Sequence, residues 1–280
     1  FASDPCFAAK YRQTKSRLGK LTRRYRLYRK WEEAVFAKGS RTQILLITDR
    51  EVPLYREIYG TEPERFHLLP PNIDRRTFSE SDRESARLAK LAELGQAADT
   101  TLLLMVGSGF RTKGVDRAIE GLAKLQSTES NKTQLVVVGH GKPDSYQRLA
   151  RSLGVGDRVH MLGGRADVPE WMLAADLLVH PARNENTGTV LLEALANGLP
   201  LLVSDVCGYA FHIERANAGR LVPSPFSQTQ FNQLLQETVD SAELQQWSAN
   251  GLKYAAEEDL YSCHDKACEL IEKFVAAKAR

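Results

Sequence analysis

The most informative segment of the sequence is Thr101-Leu-Leu-Leu-Met-Val-Gly-Ser-Gly109, a continuous apolar run that ends in a turn of small residues. An amphipathic segment, Val115–Leu125, follows it. The same order returns at Leu135–Val138, which leads into Gly139-His-Gly141 and a helical pattern at Tyr146–Leu153. Apolar strands that alternate with helices indicate a parallel sheet covered on both faces.

Further strands and helices are predicted downstream in the same alternation. The strands are Val159–Leu162, Leu177–His180 and Leu199–Val203, and the helices are Trp171–Ala175 and Thr187–Asn197. Residues 101–225 therefore predict an α/β fold, a nearly complete doubly wound parallel-sheet (Rossmann-like) domain.

The residues before this domain have a weaker pattern. We predict one long helix over residues 11–38, strands at Gln43–Thr48 and Phe66–Leu69, and a polar, helix-prone, linker-like stretch at 72–100. The tail, residues 227–280, reads as helical. Two strands without a glycine-rich turn cannot build a second sheet domain, so we expect a partial domain that lacks residues on its N-terminal side.

Composition excludes several classes of protein. The chain has 280 residues, of which 42% are hydrophobic and 26% charged, as in ordinary globular proteins. No apolar run is long enough to cross a membrane as a helix. The four cysteines contain no Cys-x-x-Cys pair and are interpreted as reduced cytosolic thiols. Residues 1–40 carry eleven Lys/Arg and three Asp/Glu, a net charge of +8 against +3 for the whole chain.

This basic segment allows three interpretations: a solvated helix packed through an apolar stripe, a nucleic-acid-binding helix, or a helix that lies on an anionic membrane. No nucleic-acid recognition fold accompanies it. Cations interleaved with aromatic residues favour the membrane. The residues of that prediction are Lys15, Arg17, Lys20, Arg23, Arg24, Tyr25, Arg26, Tyr28, Arg29, Lys30 and Trp31.

Ligands of open parallel sheets bind beyond the carboxyl ends of the strands. After the first strand of the domain, Gly107-Ser-Gly109 precedes Arg111 and Lys113. Small residues let a backbone approach a ligand, and two cations suit a diphosphate. The order of a Walker A loop is absent, and an ordinary solvated loop is the alternative interpretation.

Two further turns carry candidate groups. Thr187-Gly-Thr189 would open a helix, whose free N–H groups attract anions. Glu185 and Glu193 lie on either side of this helix start. They suit hydrogen bonds to the hydroxyls of a sugar and of a ribose, with a diphosphate between them. The alternative is that their spacing is a coincidence. Gly163-Gly-Arg165 would let a flat base lie against the backbone under an arginine, or is a plain turn.

Taken together, these residues resemble a known family. Glu185-x7-Glu193, Lys113-Gly-Val-Asp116, Val138-Gly-His-Gly141 and Gly198-Leu-Pro200 follow the order of motifs in the family-4 retaining glycosyltransferases of the two-Rossmann GT-B architecture. Longer segments such as Tyr59-Gly-Thr-Glu-Pro-Glu-Arg-Phe66 extend the similarity over essentially the whole chain. They resemble most the members of this family that glucosylate the lipopolysaccharide core.

The resemblance implies transfer of a hexose from a UDP-sugar to the inner-core heptose of lipopolysaccharide, with retention, at the inner face of the inner membrane. No metal or cofactor is expected, and the chain has no Asp-x-Asp metal clasp. Residues 1–96 would be the remnant of an acceptor and membrane-facing domain, 97–245 the nucleotide-sugar domain, and 246–280 helices that cross back.

Roles are carried over residue by residue. Glu185 would orient the donor sugar, Lys113 would neutralise the departing diphosphate, and Asp4 would lie near the outer hydroxyl of the sugar. Glu193 would accept hydrogen bonds from the ribose. The donor-binding set implied by the resemblance is Ser108, Arg111, Lys113, Gly164, Arg165, Asn186, Thr187, Gly188, Thr189, Val190 and Glu193.

Two positions depart from the family pattern. Ser108 stands where many relatives have an arginine, and Asn186 where many have a small residue. The donor is therefore open between glucose and a related hexose or hexosamine. A UDP-sugar epimerase of the same architecture and a donor-binding module without transfer activity are the alternative functions.

Overall fold

The structure, a computed structural model, describes residues 6–13, 22–125 and 132–278. The chain divides into a larger unit, Ile73–Asp259, and a smaller unit made of Phe1–Asn72 and Leu260–Arg280. Within the described residues, no helix is both long enough and apolar enough to span a membrane.

The larger unit is built on a six-stranded parallel sheet in the order β5-β4-β3-β6-β7-β8. Its strands are β3 (Thr101–Val106), β4 (Thr133–Val138), β5 (Val159–Gly163), β6 (Leu177–His180), β7 (Leu201–Ser204) and β8 (Gly219–Val222). The apolar runs of β3, β4, β6 and β7 are buried almost throughout, which is the burial expected of strands covered on both faces. This order confirms the predicted doubly wound sheet.

Helices cover both faces of this sheet. They are α4 (Glu80–Leu94), α5 (Phe110–Lys113), α6 (Val115–Leu122), α7 (Asp144–Ser152), α8 (Val168–Ala174), α9 (Thr189–Ala196), α10 (Ala210–Ala216), α11 (Gln228–Val239) and α12 (Leu244–Glu257). Ile119 of α6 and Phe231 of α11 are fully buried in one cluster with Leu103 and Leu135. α4 packs on α8, and α12 packs on α9.

The smaller unit holds a short parallel pair, β1 (Ile44–Leu46) and β2 (Phe66–Leu68). Its described helices are α1 (Phe7–Gln13), α2 (Arg23–Phe36), α3 (Val52–Tyr59) and α13 (Cys263–Lys278). Glu32 ties three of them together, because its carboxylate accepts the N–H groups of Phe7 and Ala8 and the hydroxyl of Tyr59.

The prediction of one continuous helix over residues 11–38 is wrong. Thr22 has an extended backbone and caps α2, because its hydroxyl accepts the N–H of Tyr25. A threonine that bonds the backbone in this way begins a helix rather than continuing one. Asp4, Lys15, Arg17 and Lys20, four of the predicted site and membrane residues, lie outside the described residues.

The stretch 72–100 contains a helix, as its helix-prone composition predicted, but this helix packs into the larger unit and is not a linker. Ser79 and Asp82 form a capping box that begins α4. Arg87 then donates 2.7 Å to the carbonyl of Ala174, so α4 belongs to the larger unit. The compact units consequently divide after Asn72 and Asp259, not after residues 96 and 245.

Candidate active site

Three glycine turns meet at the carboxyl edge of the sheet. Gly107 N–H donates 2.8 Å to Val138 O, and Gly139 N–H donates 2.8 Å to Gly163 O, so the ends of β3, β4 and β5 are joined. Gly107 has a φ of +143°, and a Cβ there would lie 2.9 Å from Cε of Lys113. Glycine is favoured here because residues with a side chain rarely adopt this φ, and the lysine side chain crosses directly over this position.

Lys113 reaches the first glutamate of the family motif. Its Nζ donates to Oε2 of Glu185, in a pair whose side chains are only 19% and 15% exposed. On β6, His180 is completely buried, and its Nε2 lies 3.4 Å from the same carboxylate oxygen. The structure thus brings together two residues that are 72 positions apart in sequence.

The charges of this group follow from its surroundings. Burial opposes ionisation of Glu185, but the adjacent His180 and the hydrogen-bonded Lys113 together outweigh burial, so the pKa of Glu185 is lowered. Burial lowers the pKa of His180, which leaves the imidazole neutral at neutral pH. The site therefore holds one carboxylate and one ammonium group beside an uncharged histidine.

The first turn of α9 lies directly after Glu185. Gly188 begins the helix with a φ of +89°, a conformation that favours glycine. The N–H groups of such a first turn point outward with the positive end of the helix dipole. Thr189 is exposed there and Val190 half-buried, while Asn186 and Thr187 form the half-buried approach to the helix.

Glu193 stands one turn further along α9 and lines a cavity of about 290 Å³. Asp74, Arg76, Met172 and Asn197 are among the other residues that line it. Burial, followed by the charge of Asp74, raises the pKa of Glu193, and Arg76 opposes them. The two glutamates of the motif therefore stand in different electrostatic surroundings.

Other predicted donor-binding residues have protein partners or face solvent. The hydroxyl of Ser108 accepts the N–H of His140 at 3.1 Å, while Arg111 is exposed. Arg165, next to Gly164, holds both carboxylate oxygens of Asp167 at 2.7 Å and Glu93 at 2.8 Å. Its stacking on a base stays a prediction, and its guanidinium is already engaged by these acids.

Two arginines that the sequence analysis did not single out hold the loop that carries Glu185. Arg183 forms a bidentate salt bridge to Asp116 at 2.8 and 2.6 Å, and also donates 3.0 Å to Arg111 O. Arg117 donates 3.0 Å to Pro181 O. Burial opposes the ionisation of Asp116, but Arg183 outweighs it and lowers the pKa of that carboxyl. Asp116, the partner of Arg183, is part of the motif Lys113-Gly-Val-Asp116. That motif was interpreted only as a family resemblance, so the role of Asp116 in holding the loop was not predicted.

The predicted membrane face on α2 needs one correction. Tyr25 is buried against Phe7 and Tyr11, so it cannot meet lipid headgroups. Tyr28 and Trp31 are 42% and 56% exposed. The cations of this helix are exposed as well: Arg23, Arg24, Arg26, Arg29 and Lys30.

Among the described residues, no group of three or more His, Cys, Asp or Glu side chains could hold a metal ion. A doubly wound sheet whose carboxyl edge presents a lysine and a helix N-terminus is typical of the class of domains that bind phosphorylated ligands.

Comparison with known proteins narrows this class. The profile of the family described as "Glycosyl transferases group 1" matches residues 87–254. Lipopolysaccharide glucosyltransferase WaaG of Escherichia coli K12 is 45% identical over 97% of this chain and 73% of its own length. A D-inositol 3-phosphate glycosyltransferase of Jonesia denitrificans is 30% identical over 65% of this chain and 45% of its own length. The chain belongs to the group 1 glycosyltransferases.

Solved structures agree with this membership. A crystal structure of WaaG, a glycosyltransferase involved in lipopolysaccharide biosynthesis, matches with a TM-score of 0.89 and 44% identity over 97% of this chain and 74% of that one. Anabaena HepE in complex with UDP and glucose matches with a TM-score of 0.69 and 19% identity over 83% of this chain and 63% of that one, which shows the shared fold.

Proposed function

We propose that the protein transfers a hexose from a UDP-sugar to the inner-core heptose of lipopolysaccharide, with retention of the anomeric configuration and without a metal ion. The observation that carries this proposal is the pairing of Lys113 with Glu185 beside the first turn of α9. The similarity to WaaG over 97% of the chain supports the substrate class.

Each group has a defined task in this proposal. Lys113 and the N–H groups of Gly188 and Thr189 stabilise the negative charge that develops on the diphosphate as the bond to the anomeric carbon breaks. Glu185 accepts hydrogen bonds from the hexose hydroxyls, and Glu193 accepts them from the ribose. Because cationic groups of the protein neutralise the leaving group, the reaction needs no divalent ion.

We also propose that α2 rests on an anionic membrane surface at the inner face of the inner membrane. Its exposed cations, together with Tyr28 and Trp31, support this location. A lipid-linked acceptor would then lie at the same surface as the enzyme.

Calorimetric titration of UDP, ADP and NAD in the presence of a chelator tests the donor site. We expect UDP to bind most tightly, and Lys113→Ala and Glu193→Ala to weaken it by roughly tenfold or more, the scale of a lost charge-assisted hydrogen bond. No preference for UDP would contradict the proposal. Conversion of the UDP-sugar to an epimer without acceptor would favour the epimerase instead.

A further inference from the structure

The donor site is neutralised by its own side chains. The Nζ group of Lys113 is held by Glu185, and both side chains are more than four-fifths buried. Neutral His180, the other titratable neighbour of that carboxylate, supplies no positive charge. While Lys113 stays paired with the glutamate, its positive charge is already balanced, so it offers less attraction to an incoming phosphate.

We propose that Glu185 competes with the donor diphosphate for Lys113, and that this competition makes the site favour an intact nucleotide sugar over the bare nucleotide. The inference rests on the proposed function and assigns Glu185 a second, specificity-determining role. It concerns the difference between substrate and product, which share the same nucleotide.

The two ligands differ in the partners that the Glu185 carboxylate has once each of them is bound. Bare UDP draws Lys113 towards its phosphates and leaves a largely buried carboxylate without its counter-ion, which is unfavourable. A UDP-hexose draws the lysine in the same way, but its sugar hydroxyls then donate to the carboxylate. Once the hexose has been transferred, Glu185 recovers Lys113 and weakens the hold on UDP, which favours product release.

The competing possibility is that Lys113 bridges both anions. An ammonium group has three donors, so it could contact the carboxylate and a phosphate together. In that case Glu185 would position the lysine for the phosphate, and removing its charge would leave UDP affinity unchanged or weaker. The two arrangements therefore predict opposite effects of one isosteric substitution.

The test is calorimetric titration of UDP and UDP-glucose into the wild-type protein and the Glu185→Gln variant, with melting temperatures measured to confirm folding. We expect Glu185→Gln to bind UDP roughly five- to tenfold more tightly, at the lower end of the usual range of coupling free energies between two sites. UDP-glucose affinity should gain less, so the preference for UDP-glucose over UDP should fall. Glu193→Gln is the matched control, because it removes a carboxylate that Lys113 does not contact. This variant should bind UDP more weakly than the wild-type protein.

The same substitution in a variant without the lysine distinguishes competition for Lys113 from simple repulsion between Glu185 and the diphosphate. In Lys113→Met, no ammonium group remains to compete for, so adding Glu185→Gln should change UDP affinity little. A gain of the same size in that background would overturn the proposal, as would unchanged or weaker UDP binding by Glu185→Gln alone. Failure of the wild-type protein to bind UDP would instead overturn the proposed function on which the inference rests.

Discussion

At the residue scale, the two glutamates of one motif stand in different electrostatic surroundings. Burial opposes ionisation at both positions, but His180 and Lys113 reverse its effect at Glu185. At Glu193, burial and Asp74 together raise the pKa above the ordinary glutamate value, against the weaker influence of Arg76. Glu193 is thus the glutamate of this pair whose charge changes first on mild acidification.

This difference predicts a pH dependence of donor binding. UDP-glucose affinity should weaken as pH falls through the raised pKa of Glu193, because the protonated carboxyl accepts hydrogen bonds less well. UDP-glucose is the right probe, since both of its phosphates are esterified and neither titrates in this range. Titration across mildly acidic pH should show the decline in the wild-type protein and a flatter profile in Glu193→Gln. The same decline in both proteins would contradict the assignment.

At the element scale, the position of the loop between β6 and α9 depends on the helices beside it. Arg183 and Arg117 bind this loop to α5 and α6, and Asp116 orients Arg183. Because Lys113 ends α5 and Glu185 lies in the loop, this bracing sets the distance between the two site residues. Arg183 and Asp116 are therefore positioning residues.

Removing one partner of this salt bridge should reduce both stability and turnover. We expect Arg183→Gln or Asp116→Asn to lower the free energy of unfolding by about 1–2 kcal/mol, as for a lost hydrogen-bonded charge pair. Turnover should fall more than the KM for donor rises, and the swap Asp116→Arg with Arg183→Asp should recover part of both losses.

Arg220→Gln is the matched control for this experiment. It breaks a similarly exposed salt bridge to Glu237 in the same unit, away from the loop. Its effect should be confined to stability, measured by thermal or urea unfolding. Equal loss of turnover in Arg220→Gln and Arg183→Gln, or no recovery in the swap, would count against a positioning role.

The elements also show what local sequence can and cannot predict. β3, β4 and β6 were predicted to within a few residues, since buried parallel strands are short continuous apolar runs. The role of α4 was missed because its decisive contacts are polar and distant, such as Arg83 Nη2 to Asn197 O at 2.6 Å. The motifs located Lys113 and Glu185, but only the fold brings them into contact.

At the scale of the whole molecule, charge is concentrated in one segment. Residues 1–40 have a net charge of +8, whereas the rest of the chain, by difference from +3, has a net charge of −5. Each exposed cation near an anionic bilayer contributes about 1 kcal/mol to binding, so a few suffice for reversible attachment. We therefore expect the proposed membrane contact to depend on the exposed cations of α2 rather than on the net charge of the chain.

Vesicle sedimentation tests this dependence. Arg23→Gln, Arg24→Gln and Arg26→Gln together should weaken binding to vesicles of mixed phosphatidylglycerol and phosphatidylethanolamine by roughly tenfold or more, and added salt should weaken wild-type binding. The control is Lys142→Gln, Arg148→Gln and Arg151→Gln, which removes the same charge from exposed positions of the larger unit. Equal losses in the two triple variants would show that binding follows net charge alone.

In the proposed function, the carboxyl edge of the sheet binds a UDP-sugar for metal-independent transfer to a lipopolysaccharide core. The most direct test of this proposal is transfer of labelled hexose from UDP-glucose, UDP-galactose and UDP-N-acetylglucosamine to heptosylated lipid A with EDTA present. We expect labelled lipid from one of these donors, and a loss of about a hundredfold or more in the rate of transfer by Lys113→Ala, as for other electrostatic groups that act on a transition state. Labelling that requires a divalent ion, or that Lys113→Ala leaves intact, would contradict the proposal.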